Sequence, residues 1–242
     1  MKMELQMKSI QKTARLAGGL YLVYIVVTAL ANGLGRSAII IPGDAAQTAA
    51  NILAHESLFR VGVVLELVSS LLFVLTALAL YALLRPVSRT LSLSFLALNL
   101  VGSAVAVVSA VCLFAAFPFV HQAAYLADFS AGQLTGLAFF WLKFRDMLFG
   151  SAQLFYGAWT LPLGYLIYKS GYLPRALGIL VMADCFAVIA WFLQSFLIRN
   201  YSLSMSYPFF AVSLLAEVGL TLWLLVKGVN AAGWEKRAAA AM

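Results

Sequence analysis

The chain has 242 residues, of which 64% are hydrophobic and only 10% charged, against about 25% charged in soluble globular proteins. Sixteen Lys and Arg against nine Asp and Glu give a net charge of +7, and the mean hydropathy is +0.96. These values exclude a nucleic-acid-binding domain, a disordered tail and a disulfide scaffold, and they describe an integral membrane protein. Cys112 and Cys185 stand alone in apolar runs without CxxC spacing, which fits buried thiols better than a disulfide or a metal cluster.

A bilayer core of ~30 Å needs about 20 apolar residues per helix. In chain order the first stretch of that kind is 16–34. Ala29-Leu30-Ala31 matches a signal-peptidase pattern, but the run is longer than a typical signal core of roughly 7–15 residues, so a retained span is expected. Next comes 42–56, where Asp44 stands three positions before Gln47, the capping-box spacing; a short outer interfacial helix before the second span is expected here. The second and third spans, 61–84 and 91–117, are joined by Arg85-Pro86-Val87-Ser88-Arg89, a turn composition. The connection 118–146 contains a mostly apolar piece, 134–142. Too short to span, it is open to lying on the surface, re-entering the bilayer or extending the fourth span outward. The remaining spans are expected at 147–168, 176–198 and 208–226, with Pro174 and Pro208 at helix starts, where a missing N–H costs nothing. Together they predict an all-α bundle of six transmembrane helices forming a single domain over 1–242.

Lys and Arg set the orientation. With the N-terminus inside, Lys2, Lys8, Lys12, Arg15, Arg85, Arg89, Lys169, Arg175, Lys227, Lys236 and Arg237 are inner, and Arg36, Arg60, Lys143, Arg145 and Arg199 are outer, a ratio of 11 to 5. That asymmetry favours both termini in the cytoplasm, and Tyr172, Trp234 and their neighbours would form the inner aromatic belt. The positive charge is then mostly topogenic, with attraction to anionic lipid as a by-product.

ProGlyAspAlaAlaGlnThrAlaAlaAsnIleLeu at 42–53, LeuPheArg at 58–60, LeuTyrAlaLeuLeuArgProValSerArg at 80–89, LeuGlyTyrLeuIleTyrLysSerGlyTyrLeuProArgAlaLeuGly at 163–178 and GluValGlyLeuThrLeuTrpLeuLeuValLysGly at 217–228 resemble a bacterial integral-membrane family known as domain of unknown function 4386. The likeness extends over nearly the whole chain. It implies a multi-span protein of the bacterial inner membrane and supplies no active site, cofactor or activity. Where that family commonly has an Arg early in the third span, this chain has Leu98-Asn99-Leu100.

Charges within a bilayer are costly and are functional candidates by default. Glu66, Asp184 and Glu217 are the three carboxylates inside predicted spans. At 1.5 Å per residue, Asp184 lies ~12 Å from one end of its span and Glu217 ~14 Å from the opposite end of the next, so both approach the midplane. If they share a site, like charge opposes joint ionisation, the physics of a proton relay or proton-coupled cation site. Ser213, Glu217 and Thr221 recur every four residues and form one helical stripe. Glu66 has Gly62 and Ser70 on its face and could pair with Arg60. Asn99 and Ser103 mark a polar face of the third span beside Gly102, Ala106 and Ala110, the small-residue spacing of close helix contacts.

Enzyme signatures are mostly absent. His55-Glu56-Ser57-Leu58-Phe59 lacks the second His of a zinc-protease helix, and no Walker loop, G-x-S-x-G elbow or G-x-G-x-x-G occurs. No catalytic residue, metal or cofactor is therefore expected. The leading expectation is a small secondary transporter in which Glu217 and Asp184, with Glu66 and Asn99, serve a small cationic or amphiphilic substrate. The alternatives are a non-catalytic membrane partner working through the outer segments, and an intramembrane lipid enzyme built from His55, His121 and carboxylates such as Asp44, Glu56 and Asp128.

Overall fold

The computed structural model describes the backbone of residues 2–240 and the side chains of residues 8–240, so the charges of Lys2 and Glu4 lie outside the described side chains. The described residues form helices joined by turns and short connections, without a strand. The helices are α1 (Lys2–Leu30), α2 (Ala45–Ala54), α3 (Glu56–Leu84), α4 (Arg89–Ala115), α5 (Phe117–Val120), α6 (Ala131–Ser170), α7 (Arg175–Leu197), α8 (Tyr207–Val226) and α9 (Ala231–Ala240). α1 continues into a π-helical segment, Ala31–Ser37.

Five helical segments are long and apolar enough to cross a membrane: Lys8–Ser37, Glu56–Leu84, Arg89–Val120, Arg175–Leu197 and Leu203–Val226. The stretch 147–168 is not among them. It forms the second half of the 40-residue α6, where Gln153, Tyr156, Thr160 and Pro162 dilute the apolar run. The piece 134–142 belongs to the same helix, so of the three placements open to it, extension of the fourth helix is the one found. A reciprocal capping box starts α6: the Ser130 backbone N–H donates to Gln133 Oε1 at 2.8 Å, and the Gln133 N–H donates to Ser130 Oγ at 3.4 Å. The helix predicted before the second span is α2, with Asp44 at its N-cap accepting from the Gln47 N–H at 2.8 Å. Pro174 immediately precedes α7, and Pro208 lies in the first turn of α8.

The chain forms two compact units, and the boundary between them falls within α1, α3, α4 and α6. The first comprises Met1–Val23, Leu72–Ser103 and Gly150–Met242. Its seam between α6 and α7 depends on paired glycines: a Cβ on Gly164 would come within 2.7 Å of the Gly178 carbonyl oxygen, and one on Gly178 within 2.6 Å of the Tyr168 backbone nitrogen. Only Gly at both positions permits this approach. Beside the seam, Phe73 stands edge-on to Tyr156 and Trp159, with ring centroids 5.0 and 4.9 Å away.

At one end of this unit the Leu83 carbonyl, in the last turn of α3 where intrahelical partners run out, takes donors from elsewhere. The Tyr172 hydroxyl and the Trp234 indole N–H both donate to the Leu83 carbonyl at 2.8 Å. These two aromatics therefore cap a helix, a role the belt pattern did not predict. Burial pushes the Tyr172 phenol above its ordinary value, with the Arg237 charge acting in the opposite direction.

The second unit comprises Tyr24–Leu71 and Ala104–Phe149. Its core is Ile39, Ile52, Phe59, Val63, Leu113, Phe117 and Leu142, and α3 meets the π-helical segment backbone to backbone at Gly35 and Gly62. α2 is held by side-chain bonds: Thr48 Oγ1 donates to the Ile41 carbonyl at 3.2 Å and Asn51 Nδ2 to the Ile39 carbonyl at 3.0 Å. In both units large apolar side chains face outward, among them Leu71, Val111, Phe186, Leu214 and Leu215. An outer surface of that kind suits lipid and not water, and the five apolar helices make this a multi-pass membrane protein.

Candidate functional site

Asp184 and Glu217 are brought to one place in the fold. Both line one small cavity in the first unit, together with Tyr21, Thr160, Leu163 and Val181. Asp184, on α7, is 1% exposed, and its Oδ1 accepts a hydrogen bond from the Ser213 hydroxyl on α8. Glu217 follows Ser213 by one turn and is half-buried; the Tyr21 side chain from α1 is hydrogen-bonded to it. Thr221, one turn further, is fully buried, so the predicted stripe on α8 faces protein. The cavity holds about 10 Å³, at the threshold of room for one water molecule. Thr160 Oγ1, also on its wall, donates to the Gly157 carbonyl at 2.8 Å. In this conformation the arrangement can hold a proton or a water but nothing the size of an organic cation.

Asn99 lies in the same unit on α4 and is fully buried. Neither atom of its amide has a hydrogen-bond partner among the described residues, a costly condition for a group with two donors and an acceptor. It is not among the residues on the wall of the carboxylate cavity. One turn on, Ser103 accepts from the Tyr156 hydroxyl at 3.4 Å. Gly102 stands against the Tyr156 ring, which a Cβ would approach to 2.8 Å. The polar face predicted on the third span is thus partly a packing contact with α6.

Glu66 belongs to a different constellation, in the second unit. Its Oε1 accepts from the Arg145 guanidinium at 2.7 Å, with side chains 12% and 2% exposed. Arg60, the partner suggested by nearness in sequence, bonds Glu56 one turn earlier at 2.6 Å. Arg145 also reaches Asp146 at 3.4 Å, and Asp146 accepts from Arg36 at 2.7 Å. The four charges alternate in sign and sum to zero. The Phe149 ring stacks 4.7 Å from the Arg145 guanidinium, and the Ser109 hydroxyl donates to the Arg145 carbonyl at 3.2 Å. Arg36 and Arg145 were missed as site residues because both were assigned to outer connections. The continuous α6, which carries Arg145 into a buried helix face, is the feature that would have revealed one of them.

Of the outer histidines, His121 Nε2 lies 3.3 Å from Glu56 Oε2 and its ring stacks on Phe117. Among the described residues no three His, Cys, Asp or Glu side chains are grouped as metal ligands.

The family model described as "Domain of unknown function (DUF4386)" matches residues 16–228. A protein of Archaeoglobus fulgidus described as "Uncharacterized protein" is 31% identical over 160 residues, which cover 65% of this chain and 78% of that one. The likeness therefore extends to an archaeon. No solved structure matches.

Proposed function

We infer that this chain, which belongs to the DUF4386 family, is a six-span membrane protein that couples proton exchange at Asp184 and Glu217 to passage of a small cationic or amphiphilic substrate. The span additional to the five apolar helices is the second half of α6, fourth in chain order. Both termini lie in the cytoplasm, following the 11 to 5 distribution of basic residues. The bacterial inner membrane suggested by the sequence resemblance is the corresponding location.

One observation carries this reading: two carboxylates from adjacent apolar helices share the wall of one cavity. Burial of a carboxylate in an apolar helix bundle is unfavourable, and a second one beside it adds like-charge repulsion. A structural role would be served by one hydroxyl or amide at far lower cost. Two carboxylates with hydroxyl neighbours can instead share a proton and pass it on. Glu66 is neutralised by Arg145, so it is assigned to holding the second unit together and not to proton exchange. Asn99, buried without a partner among the described residues, is assigned to the substrate path opened when the helices part.

The test is uptake of a panel of organic cations by proteoliposomes under an imposed proton gradient. Glu217→Gln and Asp184→Asn are each expected to lower gradient-driven uptake at least tenfold while the purified protein keeps its helicity. Undiminished uptake in both variants would remove the pair from the mechanism.

A further inference from the structure

A second cavity, of about 390 Å³, lies in the first unit between the first turns of α1 and the start of α9. It is lined by Lys8, Gln11, Lys12, Arg15 and Ala231. Lys8, Lys12 and Arg15 are spaced by four and three residues and so share one face of α1. All three are exposed, and none has an ion-pair partner among the described residues. The nearest acid on α9 is Glu235, one turn from Ala231.

The cavity is built. Gln11 is locked by two hydrogen bonds to the chain leaving α8: its Nε2 donates to the Val229 carbonyl at 2.6 Å, and its Oε1 accepts from the Val229 N–H at 3.3 Å. Gly228, at φ +66°, provides the left-handed residue that ends α8 and turns Val229 toward α1. The cavity walls are almost wholly carbon, formed in part by the aliphatic stems of the three basic residues, whose charged ends lie outside. On the same face of α1 as Lys12, Leu16 and Val23 follow at four and eleven residues, both exposed. A cationic rim, a carbon floor and an aliphatic strip running away from it form a two-part surface. A free inorganic anion uses only the first part.

We propose that an anionic phospholipid docks here, its phosphate held at the rim by the three basic side chains and its apolar part against the carbon-walled cavity and along Leu16 and Val23. Juxtamembrane basic residues attract anionic lipid in this way. Here Gln11 and Gly228 convert a diffuse attraction into a shaped site.

Native mass spectrometry of the full chain, purified and exposed to mixed phosphatidylglycerol and phosphatidylcholine, tests this. The wild type is expected to retain one phosphatidylglycerol and to prefer it over phosphatidylcholine. Lys8→Gln/Lys12→Gln/Arg15→Gln is expected to bind phosphatidylglycerol on the order of 100-fold more weakly. Because that variant removes topogenic charge, two further variants guard the result. Lys8→Arg/Lys12→Arg keeps charge and should keep the lipid; Ala231→Phe keeps charge, narrows the cavity and should weaken its retention. Equal retention of both lipids, full retention by Ala231→Phe, or displacement of the lipid by millimolar inorganic phosphate would each overturn the proposal.

Discussion

Arg145 is the most consequential single residue outside the carboxylate cavity. Its side chain is 2% exposed and faces Glu66 at 2.7 Å, while its Nε has no partner among the described residues. A buried pair of this kind contributes little net stability relative to an apolar replacement of similar volume, yet removing one member strands the other, at a cost of about 3–5 kcal/mol. Arg145→Met is therefore expected to lower the thermal midpoint sharply in detergent. Adding Glu66→Leu should recover most of the loss, because no unpaired carboxylate then remains. The identity of Glu66 as an intramembrane acid was legible in the sequence; its partner was not. Arg60 is one helical turn and a half away in sequence, whereas Arg145 is 79 residues distant, and only the fold brings it there.

At the scale of elements, the apolar runs with their flanking Arg, Lys and Pro residues gave away most helices, and Asp44 with Gln47 located α2. The unity of α6 was one of three placements open to 134–142, and the sequence did not choose among them. Lys143, Arg145 and Asp146 looked like the border of a span, although Ser130 and Gln133 already carried the capping-box spacing that marks the helix start. The charges are accommodated because Arg145 and Asp146 find opposite charges on other segments. Further along, α6 packs on α7 through Gly164 and Gly178, where a new Cβ would meet backbone atoms at 2.6–2.7 Å. Backbone cannot move aside as a flexible side chain can. Gly178→Ala is expected to destabilise the protein by roughly 1–3 kcal/mol and Gly178→Val by more, measured by thermal unfolding in detergent. Gly219, whose Cβ would meet only leucine methyls at 3.6 Å or beyond, should tolerate Ala and serves as the control.

For the whole molecule, the candidate site was partly legible. Asp184 and Glu217 stood out because charges are rare in apolar runs, and the Ser213, Glu217 and Thr221 spacing correctly assigned one face of α8 to the protein interior. Tyr21 and Thr160 were invisible because neither residue is unusual in its own helix; they matter only where the cavity collects them. Threading is a separate matter with its own test. Ser88, in the turn between α3 and α4, and Gln122, after α5, can be replaced singly by Cys in a background lacking Cys112 and Cys185. An impermeant maleimide applied outside intact cells is expected to label the residue at 122 and leave the residue at 88 untouched. The reverse pattern would invert the orientation proposed from the basic residues.

If Asp184 and Glu217 act together as a proton-exchanging pair, proton movement must accompany substrate in proteoliposomes. With a pH-sensitive dye trapped inside, addition of a transported cation to wild-type vesicles is expected to move protons in the opposite direction at a fixed ratio. Asp184→Asn/Glu217→Gln should abolish both fluxes, while Glu66→Leu/Arg145→Met should retain them. Substrate-coupled proton movement that persists undiminished in Asp184→Asn/Glu217→Gln would mean that these two carboxylates do not carry the proton.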